Sequence, residues 1–402
     1  MKKTMILIGC LLALVLAFSL AGCGGSDTAD TTATSGGTAT SGTTSASYAP
    51  DGRYPAETVK IGIVTFDPGA EQFLAVKSYY DYLETKLNID VIYSEAIMAA
   101  EQELAFIESC AAAGCKAIVG YFNIARVASV QLCIDKGMYY FGVAEEPSVY
   151  DAFKDNPLYL GGWYNETADY DSGHSLAQGL IDAGCKKLVY VSGGRDYGVQ
   201  MFIDRSTGFT AAVEEAKTAG KDVVIVADVG GWPEIGTYAP AQNDAIQKGF
   251  DGLGCSFGAA TWYQALSNAG MSDTVKIAAL DAFSDLSKQA WAGGQMVVMP
   301  IEITSMFGMT VPVLLNALDG NADVVRDNGQ APRIIIDRWT IKSADEYNAL
   351  SDIETGGIWC WNAADVLSVI KAINPNVTFA DIQALYLASS IEEIQARRAA
   401  QQ

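Results

Sequence analysis

Lys60-Ile61-Gly62-Ile63-Val64-Thr65-Phe66, followed at once by Asp67-Pro68-Gly69 and a helical stretch from about 70 to 86, carries the reading of the fold. A short β-branched, apolar run closed by turn formers is the pattern of a strand buried on both faces. The unit then repeats. Asp90–Tyr93 (DVIY) precedes a helix over 101–113, Ala117–Phe122 (AIVGYF) a helix near 124–136, and Tyr139–Val143 and Leu158–Tyr164 lead to a helix near 168–184. A second series starts at Lys187–Ser192 (KLVYVS), with a helix near 198–219, then Asp222–Ala227 (DVVIVA), a helix near 239–249, Gly252–Phe257, a helix ending near Gly270, and Lys276–Leu280. Short buried strands alternating with long helices predict βαβ units and parallel sheets, and two such series predict two doubly wound lobes. Ligand chemistry in such sheets gathers at the carboxyl ends of the strands.

Beyond these series, Val297–Ile301, a helix near 304–318 and a late strand at Arg333–Ile341 (RIIIDRWTI) return to the lobes. Helices over Asn362–Ala372 and Thr378–Ala388, and a capping box at Ser390-x-x-Glu393, predict a helical appendage packed on one lobe. At the other end, Lys2 and Lys3 precede an apolar stretch from Met5 to Leu20 that closes in Leu20-Ala21-Gly22-Cys23. A positive start, an apolar run and a small-residue close make a secretory signal. Its ending resembles the bacterial lipobox, which implies lipidation of Cys23 as the first mature residue. A plain signal peptide with an incidental cysteine is the alternative. The Thr/Ser/Gly-rich stretch that follows has too few large apolar side chains to offset its ordering entropy and predicts a flexible tether. No later apolar run has the roughly 18 residues of a transmembrane helix.

The formal charge of the 402 residues is −21, and without Lys2 and Lys3 it is −23. Such acidity disfavours nucleic acid and anionic headgroups as partners. The chain has one histidine, His174, and no CxxC pair, so neither a Cys/His metal site nor a His-dependent triad is expected. Outside the leader and Cys23, Cys110, Cys115, Cys133, Cys185, Cys255 and Cys360 read as free buried thiols, a Cys110–Cys115 disulfide being the alternative.

Arg205-Ser206-Thr207-Gly208-Phe209, opening the helix after the first strand of the second series, resembles the Arg-x-x-Gly-Phe of the type I periplasmic binding proteins of the ribose/galactose class. Ala279-Leu280-Asp281-Ala282 resembles that family's strand-end aspartate. The resemblance spans about residues 58 to 342. It implies two lobes joined by a three-crossover hinge, closing on a small ligand to feed an ABC permease, without catalysis or cofactor. The expected organisation is 1–22 signal, 23–57 tether, 58–164 plus 283–320 lobe I, 165–282 plus 330–342 lobe II, and 343–402 helical extension. A monomer on the extracytoplasmic face of the membrane is expected. A receptor-signalling version and a lipoprotein hydrolase are the alternatives; a cytoplasmic repressor is excluded by the leader where a basic headpiece would stand.

Candidate ligand residues follow. In the loop after the first strand, Phe66, Asp67, Gln72 and Phe73 offer flat apolar area and polar acceptors. Asp67 as a helix cap and Phe73 in the core are the competing reading. Phe122 and Glu145 follow later strands of the first lobe. Arg205 offers a fixed donor fork, with Arg195 as its competitor, and Ser256, Trp232 and Asp281 follow strands of the second lobe. Cys255-Ser256-Phe257-Gly258 stands where sugar binders of the family commonly carry Asn-Asp, and Val298-Met299 replace a glutamine before Pro300. Fewer amides and seven tryptophans favour a ligand more apolar than a plain pentose or hexose.

Overall fold

The structure, a computed structural model, describes residues 46–401 apart from 66, 70, 122, 123, 144, 145, 165, 166, 234 and 337, and apart from the side chains of Glu71 and Gln72. The leader and Cys23 lie outside these residues. The first series folds as β1 (Tyr54–Val64), α1 (Glu71–Lys86), β2 (Leu87–Tyr93), α2 (Ala100–Ala112) and β3 (Ala117–Gly120), then α3 (Arg126–Asp135), β4 (Tyr139–Gly142), α4 (Pro147–Phe153) and β5 (Tyr159–Tyr164). The second comprises α5 (Ala168–Asp182), β6 (Lys187–Gly193), α6 (Gln200–Thr218), β7 (Val224–Gly230) and α7 (Tyr238–Lys248), then β8 (Gly252–Cys255), α8 (Ala260–Asn268), β9 (Lys276–Ala279), α9 (Asp285–Ala292) and β10 (Met296–Ile301). A 3-10 turn at Thr304–Met309, α10 (Thr310–Leu318), β11 (Arg333–Ile335), β12 (Trp339–Ile341), α11 (Ala344–Thr355), α12 (Ala363–Ser368), α13 (Phe379–Leu387) and α14 (Ile391–Ala400) complete the chain.

Two six-stranded sheets result, in the orders β11-β5-β4-β3-β1-β2 and β12-β10-β9-β8-β6-β7. All pairs are parallel except β10 with β12, an antiparallel edge of the kind mixed sheets carry. In each sheet the winding reverses beside the first strand, between β1 and β3 and between β6 and β8, which places the switch points of the doubly wound pattern there.

Three assignments are corrected. Arg333–Ile341, expected as one strand, is two: β11 pairs β5 in the first sheet and β12 pairs β10 in the second. The chain changes lobe inside that run, so residues 333–335 leave the 330–342 segment expected in lobe II. Likewise β10 lies in the second sheet, although 283–320 was expected in lobe I. Finally, the tether expected over 23–57 ends earlier. β1 begins at Tyr54, and the Ala46 N–H already donates to the Ala372 carbonyl.

Glycine sets the closest helix contact. A Cβ on Gly173 in α5 would lie 1.9 Å from the Arg205 carbonyl oxygen, and one on Gly208 in α6 2.0 Å from that of Tyr170. No side chain fits where two backbones meet so closely.

The extension over 343–402, expected on one lobe, packs on both. On the second lobe, Tyr347 of α11 is 1 % exposed and donates to the Ser284 carbonyl at the start of α9, whose Ser284 N–H donates back to the Tyr347 hydroxyl. On the first, Tyr79 of α1 donates to the Trp361 carbonyl and Tyr386 of α13 to that of Met309. The Gln383 side chain pairs with both backbone groups of Ile335, acting as a surrogate neighbour on the open edge of β11. Glu354, buried at the end of α11, accepts from the Ser305 N–H and hydroxyl and from the Cys360 N–H. Between α11 and α12 the chain passes through Gly356 and Gly357, the latter at φ +80°.

Candidate functional site

The chain crosses between lobes from β5 to α5, from β10 to the turn at Thr304–Met309, which packs on α1, and from β11 to β12. Each crossing leaves the carboxyl end of a strand, so the carboxyl ends of both sheets border the same hinge. One side chain joins the three crossings. Arg338, on the third, donates to Asp169, just past the first, at 2.8 Å and to Glu302, on the second, at 3.0 Å. Asp169 also accepts from Arg205 at 2.9 Å. Burial alone would raise the Asp169 carboxyl, but the guanidiniums of Arg205 and Arg338 outweigh it and hold the group at about 2.

Arg205 is therefore engaged. It is 1 % exposed, and its guanidinium holds Asp169 and donates at 2.8 Å to the Ser256 carbonyl. Its expected part as a ligand donor gives way to one that fixes the start of α5 and the end of β8. Ser256 is buried too, its hydroxyl donating to the Val191 carbonyl at 2.7 Å. Phe73, 1 % exposed, packs edge-on against Tyr93 and Tyr121 in the first lobe's interior. Asp67 is exposed and accepts the Gly69 N–H at 2.8 Å, capping its own turn. Phe66, Phe122, Glu145 and the Gln72 side chain lie outside the described residues.

Asp281 and Trp232 remain at strand ends of the second sheet with polar or aromatic surface to offer. Asp281 is half-buried past β9 and accepts the Ala282 N–H at 2.9 Å, the Ala259 N–H at 3.4 Å and the Tyr263 hydroxyl at 3.2 Å. Burial raises its carboxyl, and those donors counter only part of the rise. Trp232, past β7, stacks on Tyr197 with ring centres 5.4 Å apart and planes at 22°. Tyr197 is 56 % exposed and follows β6. Beside them Arg195 pairs with Asp196 at 2.9 Å and with Asp228, which also accepts from Ser192 at 2.6 Å. Trp163 and Trp262 are core residues, the first against Phe141 and Phe307 and the second donating to the Tyr238 hydroxyl.

Sequence reasoning left Tyr263, Asp228 and the Asp169–Glu302–Arg338 cluster unnamed. The hinge cluster unites residues far apart in the chain, and no local pattern announces such a meeting. Tyr263 stands on α8 one turn past Ala259, a placement that needs the helix start to be known. His174 lies on α5, its Nε2 3.0 Å from a Glu215 carboxylate oxygen.

No protein-family model matches the chain, and no curated protein does. Solved structures do match. One is an ABC transporter periplasmic solute binding protein from Actinobacillus succinogenes with bound D-allose, 17 % identical, TM-score 0.58, covering 72 % of this chain and 99 % of that one. Another is an ABC transporter solute binding protein from Bacillus halodurans with bound myo-inositol, at 16 %, 0.57, 73 % and 98 %. A third, described as a XylFII-LytSN complex, matches at 13 %, 0.54, 72 % and 99 %. At these identities the likeness establishes the fold. The chain has the two-lobed type I periplasmic-binding-protein architecture, and over a quarter of it falls outside the match.

Proposed function

We propose that this chain is an extracytoplasmic solute-binding protein, lipid-anchored at Cys23, whose lobes close on a small polar or amphipathic organic molecule and deliver it to an ABC permease. The observation that carries the reading is the convergence of three lobe crossings on Arg338 beside two rows of strand ends. Such a hinge lets the lobes move as bodies, and strand-end residues then enclose what lies between them. Enclosure excludes water and strengthens each polar contact. The fold neighbours described with bound allose and inositol support a solute of this size. The site in this reading comprises Asp281, Tyr263, Arg195, Trp232 and Tyr197 of the second lobe, with Phe66, Phe122 and Glu145 proposed from the first. The proposed chemistry is binding alone; no bond is made or broken. Among the described residues no helix is long and apolar enough to cross a membrane, which accords with attachment by the leader cysteine.

Thermal-shift screening against sugars, nucleosides, amino acids and aromatic acids tests the reading. A ligand at 100 times its Kd adds about 2.7 kcal/mol of stability. A panel without any shift refutes it. The signalling alternative is favoured by the fold neighbour described as a XylFII-LytSN complex. Loss of uptake on deleting the gene points to transport, and loss of a transcriptional response with uptake intact points to signalling.

A further inference from the structure

The second lobe presents its strand ends in the spatial order β7, β6, β8, β9, neighbours being about 4.8 Å apart. Along that row the chemistry changes from flat and apolar to anionic. At one end Tyr197 lies with one face on Trp232 and over half its surface open. Phe202 meets Trp232 edge-on at 6.1 Å and Phe257 at 6.2 Å, carrying the aromatic row towards β8. At the other end stands Asp281, whose described partners are two peptide N–H groups and one phenol, none of them a cation.

The absence of a cation there contrasts with the surroundings. Arg195 is shared between Asp196 and Asp228, Arg205 and Arg338 are held by Asp169 and Glu302, and Arg126 meets Glu146 at 3.2 Å. Every guanidinium named at these strand ends is thus paired with a carboxylate, Arg205 and Arg338 sharing Asp169, and the Arg195 group keeps a net negative charge. Among the described residues a solute anion would meet no guanidinium here without a carboxylate already beside it. A neutral polyol would leave the Asp281 charge uncompensated once closure removed water, which is costly for a desolvated carboxylate. A protonated amine would supply the missing charge, and the aromatic row suits both a flat ring and a cation near a π-face.

Building on the solute-binding reading, we propose that the molecule captured here pairs a flat apolar ring with a protonated amine, the amine meeting Asp281 and the ring lying along the aromatic row that Tyr197 ends. Asp281 is then the charge-selecting residue of the site and the aromatic row its shelf.

Calorimetry on the purified protein with ring-matched probes tests the assignment: tyramine and tryptamine against 3-(4-hydroxyphenyl)propionate and indole-3-propionate, with D-allose and myo-inositol as neutral controls. The amines are expected to bind at least tenfold more tightly than the matched acids. Asp281→Asn should weaken the amines tenfold or more. Tyr197→Ala, a change at an exposed position that leaves the fold intact, should weaken them several-fold. Acids binding as well as amines, amines unaffected by Asp281→Asn, or binding of the neutral sugars alone would overturn the amine assignment while leaving solute binding standing. If a broad solute panel also gives no binding at all, the solute-binding reading falls with it.

Discussion

Replacing Arg338 by methionine keeps most of the side chain's apolar volume and removes the guanidinium that ties the three crossings together. Asp169 then keeps only Arg205, and Glu302 loses its described partner. The Asp169 carboxyl stands at about 2 in the fold, against 3.8 as its ordinary value. A shift of that size corresponds to about 2 kcal/mol of stability at neutral pH, by 1.36 kcal/mol per unit. Losing one of its two guanidiniums removes about half of this, and losing the charge-assisted bond to Glu302 removes roughly 1–2 kcal/mol more. The variant should therefore be about 2–3 kcal/mol less stable at pH 6, read by urea unfolding with tryptophan fluorescence and circular dichroism. Because the folded carboxyl is depressed, its contribution is complete above the unfolded value near 4 and is lost as pH falls through about 2. Between pH 6 and pH 3 the gap should shrink by only a few tenths of a kcal/mol, and the ~1 kcal/mol owed to the Asp169 carboxyl is lost only as pH falls through about 2. A gap below about 0.5 kcal/mol at pH 6, or one that widens as pH falls, would refute the role given to this cluster.

Gly208→Ala drives a methyl into the Tyr170 carbonyl and should cost at least 3 kcal/mol or prevent folding, whereas Gly220→Ala, where a Cβ meets nothing within 4 Å, should cost about 1 kcal/mol from its positive φ alone. Thermal melts separate the two. Tyr347→Phe leaves the Ser284 N–H and carbonyl without their phenol and should lower stability by about 1–2 kcal/mol, measured by urea unfolding. The six described cysteines are buried free thiols, so a thiol reagent should react slowly with the native protein and count all six only after denaturation. Four or fewer would reveal a disulfide.

Strand and helix placement was legible because both sheets are built from buried parallel strands whose apolar runs stand out against amphipathic helices. The run RIIIDRWTI failed for the same reason. Two short strands in two different sheets, separated by three residues, look like one long one, since periodicity carries no information about which sheet a strand joins. α11 went unread although Ser343 and Glu346 mark its start and Tyr347, Leu350 and Ile353 recur along its buried face, because that stripe is short and its acidic residues interrupt it. Of the candidate site, Asp281 and Trp232 were legible from their place after strands. Arg205 was expected as a ligand donor from its motif, whereas its engagement with Asp169 depends on a contact between two helices that only the fold supplies. The position of Phe73, two residues into α1, is compatible with cleft or core, and packing against Tyr93 and Tyr121 decides it.

The route of the chain also fixes an order of assembly. The second sheet draws five of its six strands from the unbroken stretch between Lys187 and Ile301. A chain emerging amino end first can complete most of that lobe while synthesis continues. The first lobe cannot finish so early. Its outer strand β11, the turn under α1, and the Trp361 and Tyr386 that cover α1 and the turn all arrive in the last hundred or so residues. Its hydrophobic face must wait, uncovered, for the carboxyl end of the same molecule, as is characteristic of multidomain folding that proceeds through partly buried intermediates. A chain cut short before Trp361 would therefore leave the lobe made first in sequence as the one left unfinished, and such fragments should be found bound to chaperones or degraded rather than accumulating in a folded form.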